Sequence, residues 1–219
     1  MAHGTRYAPG NDVARRITAL AGRQLGVPAV ASYVELCPPS LASVLSTTRV
    51  PTVVVPLLLS TGFHVRHDLP AALAAAAGPV RMAGPLGPHR LLAQAQAALL
   101  RAAGAHPDQP VVLVAAGSRD PAAADDLDTA IALLADEWGG AVTSATLSGP
   151  GPRPADVVTH ETAVSPYLLA SGHFATRARE ESAAATCVAD VLGAHPGVVE
   201  LVAARFREVL PALEPEAVA

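Results

Sequence analysis

The feature that most constrains the fold of this chain is an internal repeat. Three pairs of stretches correspond in the same order: AHGTR (2–6) with AAGSR (115–119), AVASYVEL (29–36) with AVTSATLS (141–148), and VPLLLSTG (55–62) with SPYLLASG (165–172). One such match could arise by chance in an alanine-rich chain, but three in the same order indicate a duplication. The stretch GAHPDQP (104–110) is the natural boundary between the copies. We therefore predict two lobes, residues 1–106 and residues 107–219.

Short runs of β-branched residues alternate with stretches rich in alanine and leucine, and proline or glycine marks nearly every junction. The predicted strands are residues 28–35, 50–59, 79–84, 110–115, 140–147 and 163–169. The predicted helices are residues 10–25, 39–47, 68–77, 88–104, 121–138, 177–189 and 196–210. Alternating strands and helices, with strands that are apolar throughout, are typical of parallel sheets covered by helices on both faces. The predicted fold class is α/β, with two Rossmann-like lobes built on parallel sheets and related by the duplication.

Composition argues against several partners and chemistries. The formal net charge is -4, and nucleic acid is an unexpected partner because neutralising phosphates requires a basic surface. All fifteen lysine-plus-arginine residues are arginines. Without lysine, the chain has neither a P-loop lysine nor a Schiff-base lysine. No GxGxxG motif follows a predicted strand, which argues against nucleotide binding on a Rossmann-like sheet.

Cysteine usage and hydropathy indicate a cytoplasmic protein. Cys37 and Cys187 have no CxxC spacing and define no disulfide framework, so we expect two buried thiols. The N-terminus shows no charged region followed by an apolar core, so we expect no signal peptide. The uncharged apolar stretch at residues 50–63 is 14 residues long. A membrane-spanning helix needs about 20 residues, so we expect no membrane contact.

The repeat separates residues that the fold needs from residues that chemistry could use. Gly4, Arg6 and Gly62 recur as Gly117, Arg119 and Gly172, whereas the alignment puts Ala116 opposite His3, Leu147 opposite Glu35 and Phe174 opposite His64. Ligands of open parallel sheets bind beyond the carboxyl ends of the strands, where His3, Glu35 and His64 are predicted to lie. Two imidazoles and a carboxylate suit a divalent metal ion with open coordination positions, or they could accept protons near neutral pH. We expect the first lobe to carry the site and the second, degenerate lobe to close the cleft.

Three stretches of the first half resemble the sirohydrochlorin chelatase family, the cobalt- and iron-inserting class II chelatases of the CbiX and SirB type. They are AHGTR (2–6), ELCPPSL (35–41) and VPLLLSTGFHVRHDLP (55–70), with LVAAGSRDP (113–121) and SPYLLASGHFATR (165–177) as degenerate second copies. The resemblance implies an enzyme that inserts Co²⁺ or Fe²⁺ into sirohydrochlorin, without ATP, for cobalamin or siroheme biosynthesis. By motif match, the metal-handling and proton-accepting residues are His3, Glu35 and His64, with His3 and His64 as the metal ligands.

The same resemblance implies the substrates and the residues that would bind them. The metal ion is itself a substrate, so no permanently bound cofactor is expected, and the tetrapyrrole sirohydrochlorin carries eight carboxylates. Arg6, Arg66 and Arg119 are candidate partners for these carboxylates, although each could instead be a surface charge or part of a structural ion pair. His173 is a candidate for the far wall of the cleft. A monomer suffices because one chain supplies both lobes, and the ligand set leaves the choice among cobalt, iron and nickel open.

One departure from the family pattern concerns the start of the chain. Family members carry an apolar strand before the HG[ST]R motif, whereas Met1 directly precedes Ala2 here. Either the chain starts further upstream, or the first central strand is absent and His3 lies on a flexible end. In the second case we expect a protein on the chelatase fold that carries a tetrapyrrole or a metal ion without turnover.

Overall fold

Two parallel sheets organise the computed structural model, which describes residues 1–61 and 72–213. The strands are β1 (Thr52–Val54), β2 (Val80–Met82), β3 (Val111–Ala115), β4 (Val142–Thr146), β5 (Ala163–Tyr167) and β6 (Cys187–Val188). The helices are α1 (Ala8–Leu25), α2 (Leu41–Thr47), α3 (Arg90–Ala102), α4 (Pro121–Trp138), α5 (Pro154–Val157), α6 (His173–Glu181) and α7 (Pro196–Val209), followed by a 3-10 helix (Leu210–Leu213). The predicted α/β class with parallel sheets is confirmed.

The sheet of the second half has the strand order β4-β3-β5-β6, and its strand pairs are parallel. Strand β3 is flanked on both edges, since Ala115 pairs with Thr146 of β4 and with Tyr167 of β5. Every residue of β3 and β5 is buried. A parallel strand that has a neighbour on each edge and helices on both faces contacts little water, which explains the apolar sequence of β3.

In the first half, residues 1–3 take the place of a central strand. The amine of Met1 donates to the carbonyl oxygen of Val55 at 2.8 Å. On the opposite edge, the amide of Ala2 donates to the carbonyl oxygen of Ser32 at 2.9 Å. Strand β1 pairs in parallel with β2. The spatial order is therefore residues 32–35, residues 1–3, β1 and β2, which repeats the order β4-β3-β5-β6 and agrees with the predicted duplication.

Local sequence sets the bounds of α4, for which prediction and structure agree at both ends. Asp120 caps the helix by accepting a hydrogen bond from the amide of Ala122 at 3.0 Å. Pro121 follows in the first turn, where its missing N–H costs nothing. Gly139 ends the helix with a φ of 85°, a left-handed conformation that glycine adopts without strain. The helices α1, α3 and α7 and the strands β3, β4 and β5 also lie within a few residues of their predicted bounds.

The strand predicted for residues 28–35 is wrong. Tyr33 makes isolated parallel bridges with Ala2 and Ser40, but the segment does not form a regular strand. The physical reason is the neighbouring segment, since residues 1–3 offer only a short length of backbone for pairing. A strand is maintained by its ladder of hydrogen bonds, so an apolar stretch without a long partner does not become one.

The helix predicted for residues 177–189 is also wrong in its second part. Helix α6 ends at Glu181, and Cys187 begins strand β6. Cys187 pairs with Ala163 of β5, so sheet pairing at this position overrides a composition that favours helix. The helix predicted for residues 68–77 lies partly outside the described residues.

The thiols are less buried than expected. Cys37 and Cys187 are free and partly buried. The Cys37 thiol donates to the carbonyl oxygen of Pro38 at 3.3 Å. Partial burial raises the pKa of Cys187. Across residues 1–61 and 72–213, no helix combines the length and the apolar character that crossing a membrane would require.

Two helices pack across the boundary between the repeats. Helix α3 follows the first sheet in sequence but packs against β5 and α4 of the second half. Gln96 of α3, which is buried, donates to the hydroxyl of Ser165 in β5 at 2.9 Å. Conversely, α7 from the end of the chain packs against α1 and β1. Each half therefore has its core completed by a helix that lies, in sequence, in the other half.

The amine of Met1 lies in the core of the first half. Met1 is 7% exposed, and its amine is hydrogen-bonded inside the sheet. Burial lowers the pKa of this amine from 8.0 to about 5, because an ammonium group loses its hydration there. The folded protein therefore holds the amine neutral at a pH where the unfolded chain protonates it.

We predict that this amine makes the stability depend on pH between 5 and 8. The unfolded state binds more protons in this interval, so the free energy of unfolding falls as the pH is lowered from 8 to 5, by up to about 4 kcal/mol. Acetylation of the Met1 amine keeps an N–H donor for the carbonyl oxygen of Val55 but removes the group that titrates. Denaturant unfolding of both forms at pH 5, 6, 7 and 8, with Met1 verified by mass, measures the difference. Parallel pH profiles for the two forms would contradict the prediction.

Candidate functional site

A cleft lies between the two halves, where the carboxyl ends of their central strands face each other. Its cavity has a volume of about 540 Å³. The first half contributes residues 2–5 and 57–60 to its walls, and the second half contributes residues 115–118 and 167–174. Because ligands of parallel sheets bind beyond the carboxyl ends of strands, this cavity is the candidate functional site.

The loop that follows His3 depends on a glycine. Gly4 has a φ of 95°, and a Cβ atom there would lie 2.0 Å from the carbonyl oxygen of Glu35. Gly117 has the same role in the second half, with a φ of 86° and a Cβ position 1.9 Å from the carbonyl oxygen of Ser148. Any side chain at Gly4 would push apart the backbone segments that carry His3 and Glu35.

The same two contacts correct the predicted alignment of the halves by one residue. The carbonyl oxygen that approaches Gly4 belongs to Glu35, and the one that approaches Gly117 belongs to Ser148. Glu35 therefore corresponds to Ser148, and the predicted correspondence with Leu147 is wrong. Residues 28–32 form no strand, so no ladder of hydrogen bonds fixes their register. An alignment by sequence similarity alone therefore places them one residue away from their structural counterparts in the second half. The second half still lacks a carboxylate at this position.

His3 and Glu35 form a close pair beside the cleft. The Nε2 atom of His3 lies 3.2 Å from Oε1 of Glu35, and the two side chains are 40% and 53% exposed. The Nδ1 atom of His3 lies 3.1 Å from the carbonyl oxygen of Gly4. The backbones are also joined, since the amide of Glu35 donates to the carbonyl oxygen of His3 at 3.1 Å. A metal ion that binds Nε2 would have to replace the contact with Glu35, which leaves the carboxylate available to take a proton.

A buried asparagine, Asn11, which no sequence motif marks, holds the loop after His3. The Oδ1 atom of Asn11 accepts from the amide of Thr5 at 3.0 Å, and its Nδ2 donates to the Thr5 carbonyl oxygen at 2.7 Å. The hydroxyl of Tyr33 donates to the Asn11 carbonyl oxygen at 3.2 Å. Asn11 is 5% exposed. A polar residue in the first turn of a helix gives no sequence signal of such a role, because most such residues face water.

Two contacts between the halves fix the end of the segment that follows β1. The amide of Thr61 donates to Oδ2 of Asp126 in α4 at 2.5 Å. The hydroxyl of Tyr167 donates to the carbonyl oxygen of Leu59 at 3.0 Å. Burial, followed by the nearby charge of Asp126, raises the pKa of Tyr167, so its hydroxyl remains a donor. Neither contact has a signal in the sequence, because they join residues that are 65 and 108 positions apart.

Of the remaining predicted site residues, the structure describes Arg6, Arg119 and His173. His64 and Arg66 lie outside the described residues. Arg6 and Arg119 are exposed next to wall residues of the cleft but do not line its cavity. His173, at the first position of α6, lines the cavity on the side of the second half. In the described ranges, which omit residues 62–71, no three metal-ligating side chains come together.

The family comparison covers both halves. The sequence model of the CbiX family matches residues 1–103 and residues 110–209. The chain belongs to the CbiX family. Residues 104–109 lie between the two matched segments of the CbiX-family chain. No curated protein matches the chain significantly.

Solved chelatase structures share the fold of this CbiX-family chain. SirB from Bacillus subtilis with Fe³⁺ has a TM-score of 0.76 and 24% identity, covering 94% of this chain and 92% of its own. SirB from B. subtilis subspecies spizizenii in complex with cobalt has a TM-score of 0.74 and 23% identity, covering 96% and 93%. CbiX, described as the terminal enzyme for biosynthesis of siroheme in denitrifying bacteria, has a TM-score of 0.70 and 22% identity, covering 95% and 97%.

We predict that replacing Asp126 by alanine loosens the segment after β1. The substitution removes the acceptor of the Thr61 amide, and a hydrogen bond to a charged group stabilises by about 1.5–3 kcal/mol. Hydrogen exchange at the Thr61 amide should become faster, and the free energy of unfolding should fall. Asp128→Ala on the same helix, where the side chain is exposed, is the matched control. Equal exchange at Thr61 in the two variants would argue against the role of Asp126.

Proposed function

We propose that this chain inserts a divalent metal ion, Co²⁺ or Fe²⁺, into sirohydrochlorin without ATP. The observation that carries the proposal is the His3–Glu35 contact of 3.2 Å beside the cleft, in a chain that belongs to the CbiX family. The cleft opens at the edge where parallel sheets bind ligands. The product, a metallated tetrapyrrole, would enter siroheme or cobalamin biosynthesis.

The solved neighbours support the substrates of this proposal. One SirB structure contains Fe³⁺, a second contains cobalt, and a third neighbour is an enzyme of siroheme biosynthesis. Their identity to this chain is 22–24%, so the likeness concerns the fold, and the transfer of their substrates to this chain is part of the proposal. Neither the comparisons nor the geometry favours a carrier without turnover.

The chemistry of insertion needs a weak metal site and a proton acceptor. Sirohydrochlorin loses two pyrrolic protons as M²⁺ enters, so the products are the metallated macrocycle and two protons. In our proposal, Nε2 of His3 and the imidazole of His64 hold the incoming ion. Imidazole binds a borderline divalent ion without the strength of a thiolate cage, so the macrocycle can take it over. Glu35, once the ion has replaced its contact with His3, accepts a pyrrolic proton.

Substrate binding is assigned, in the same proposal, to charges around the cleft. Arg6, Arg66 and Arg119 would pair with carboxylates of the tetrapyrrole, because guanidinium groups bind carboxylates in a bidentate manner. His173 would contact the macrocycle from the second half. The apolar cavity wall suits the ring itself, whereas the carboxylates would lie at the exposed rim.

Four further features belong to the proposal. A monomer suffices, since one chain supplies both walls of the cleft. The lobes divide at residues 106 and 107 in sequence, although α3 and α7 pack across that boundary. A cytoplasmic location fits the two free cysteines, because reducing compartments keep thiols unpaired. Cobalt and iron both suit imidazole and carboxylate ligands, so metal supply would decide between them.

We predict that His3→Ala lowers the initial rate of metal insertion by at least about 100-fold, because it removes a proposed metal ligand, and the loss of a residue that only orients such a ligand typically costs about 10–100-fold. Glu35→Gln should also lower the rate while keeping the size of the side chain. His106→Ala removes an exposed imidazole that does not line the cleft and should have no effect. The measurement follows the visible spectrum of sirohydrochlorin with Co²⁺, and with Fe²⁺ under anaerobic conditions.

Two outcomes of this experiment would count against the proposal. A His3→Ala variant with a normal rate would move the site away from this pair. Conversion of one equivalent of sirohydrochlorin per chain, with no further turnover, would indicate a carrier. Thermal unfolding of each variant serves as the control for folding, because His3 and Glu35 are partly exposed and their substitution removes little packing.

A further inference from the structure

Leu36 lines the cleft next to the His3–Glu35 pair but contributes little to the folded core. It is 49% exposed and belongs to the part of the cavity wall that the first half supplies. It is a member of none of the three apolar clusters that the described residues form. A single exposed leucine is common on protein surfaces and needs no explanation by itself. The backbone of Leu36, however, is unusual.

The backbone of Leu36 lies in the left-handed region, with a φ of 65°. The amide of Cys37 donates to the carbonyl oxygen of Glu35 at 2.9 Å, which closes a three-residue turn around Leu36. Such turns with a positive φ at the central residue are rare and strained. Among the described residues other than glycine, Asp108 also has a positive φ, of 64°. Aspartate adopts this conformation more readily than leucine, since its short side chain can form local hydrogen bonds.

The second half has a glycine at the corresponding position. Glu35 corresponds to Ser148, as the contacts of Gly4 and Gly117 show. The next residue, Gly149, therefore corresponds to Leu36, and its φ of 69° is nearly the same. A Cβ atom at Gly149 would lie 2.8 Å from a backbone carbonyl oxygen, so the second half has no room for a side chain there. Both halves need a positive φ at this position, and the first half holds a leucine in it under strain.

The strain at Leu36 serves neither the turn nor the core of the free protein. Glycine would form the same turn without strain, as it does in the second half. The exposed part of the leucine side chain adds no hydrophobic free energy to folding, because it remains in water. Strained backbone that the fold does not require is found mainly at functional sites. The observation therefore indicates that the side chain of Leu36 has its use within the cleft.

The opposite wall of the cleft also presents an exposed apolar side chain. Phe174 of α6 is 39% exposed and lines the cavity from the second half. The centroid of its ring lies 5.6 Å from that of His173, with an angle of 55° between the two rings. A flat ligand between the halves would thus meet an apolar side chain on each side, and its binding would remove apolar surface of both from water.

We propose that Leu36 is a substrate-binding residue, whose side chain packs against the face of the tetrapyrrole ring in the cleft. This inference rests on the proposed function, which supplies a planar macrocycle as the ligand. The exposed part of the leucine becomes buried only when the ring is bound, so its hydrophobic free energy contributes to affinity instead of to folding. Because Leu36 supplies no metal ligand and no proton acceptor, its loss should weaken binding and leave the maximal rate unchanged.

Four variants test this role, with metal-free sirohydrochlorin as the probe. Leu36→Gly removes both the side chain and the strain. Leu36→Asn introduces a polar residue that tolerates a positive φ, whereas Leu36→Met keeps an apolar contact. Asp108→Gly is the matched control, because it removes the side chain from a second positive-φ position, one that does not line the cleft. Anaerobic absorbance titration gives Kd, initial rates with Co²⁺ give kcat, and thermal unfolding gives Tm.

We expect Kd to rise about fivefold or more in Leu36→Gly and Leu36→Asn, and to change less than about twofold in Leu36→Met and Asp108→Gly. The kcat at saturating sirohydrochlorin should stay within about twofold of that of the unaltered chain in every variant. The Tm of Leu36→Gly should equal that of the unaltered chain or exceed it by up to about 3 °C. The relief of strain offsets the greater freedom of glycine in the unfolded state.

An unchanged Kd in both Leu36→Gly and Leu36→Asn would overturn the proposal. A lower kcat with an unchanged Kd would also overturn it, since the turn would then serve to orient Glu35. A loss of Tm in Leu36→Gly that Asp108→Gly does not share would show that the leucine serves the fold instead. If the unaltered chain binds sirohydrochlorin without metallating it, the proposed function fails, while the comparison of Kd values still decides the role of Leu36. No binding at all would overturn both.

Discussion

The backbone of residues 1–3 is hydrogen-bonded on both edges, to Ser32 and Glu35 on one side and to Val55 and Leu57 on the other. This pairing positions His3 at the carboxyl edge of the first sheet. Gly4 then allows the backbone to approach the Glu35 carbonyl closely enough for the two side chains to meet. The site therefore depends on main-chain contacts first, and the side-chain pair is their consequence.

The duplication explains why the two halves have the same framework but different chemistry. The close approach at Gly4 recurs at Gly117, so both halves need a glycine there. The neighbouring side chains differ, since Ser148 stands at the position of Glu35 and donates to the carbonyl oxygen of Ala116 at 2.7 Å. The Ser148 hydroxyl stabilises the loop through its bond to the backbone, but it does not replace the carboxylate that Glu35 supplies in the first half. The second half thus keeps the geometry of the edge and serves as a wall.

The sequence predicts those parts of the structure that local chemistry determines. The bounds of α4 follow from Asp120, Pro121 and Gly139, and the strands of the second sheet follow from their apolar runs. The meeting of His3 and Glu35 agrees with the expectation that both lie at one edge of the sheet, although residues 28–35 form no regular strand.

The sequence does not predict contacts that depend on how the halves pack together. The hydrogen bonds of Asp126 and Tyr167 to the segment after β1 join distant residues, and neither residue belongs to a motif. The failure at residues 28–35 has a different origin. Their composition favours a strand, but a strand also needs a partner, and residues 1–3 provide too little backbone.

The exchange of α3 and α7 between the halves has a consequence for synthesis on the ribosome. The first sheet leaves the ribosome early, but the helix that packs against α1 and β1 is made near the end of translation. The part of α1 that packs against α7 therefore stays uncovered while most of the chain is being made. Domains made first usually fold first. In this chain the first half cannot complete its core until α7 is made, so its folding is delayed until the second half is present. Until α7 is made, the apolar residues of α1 that it covers remain exposed to other chains.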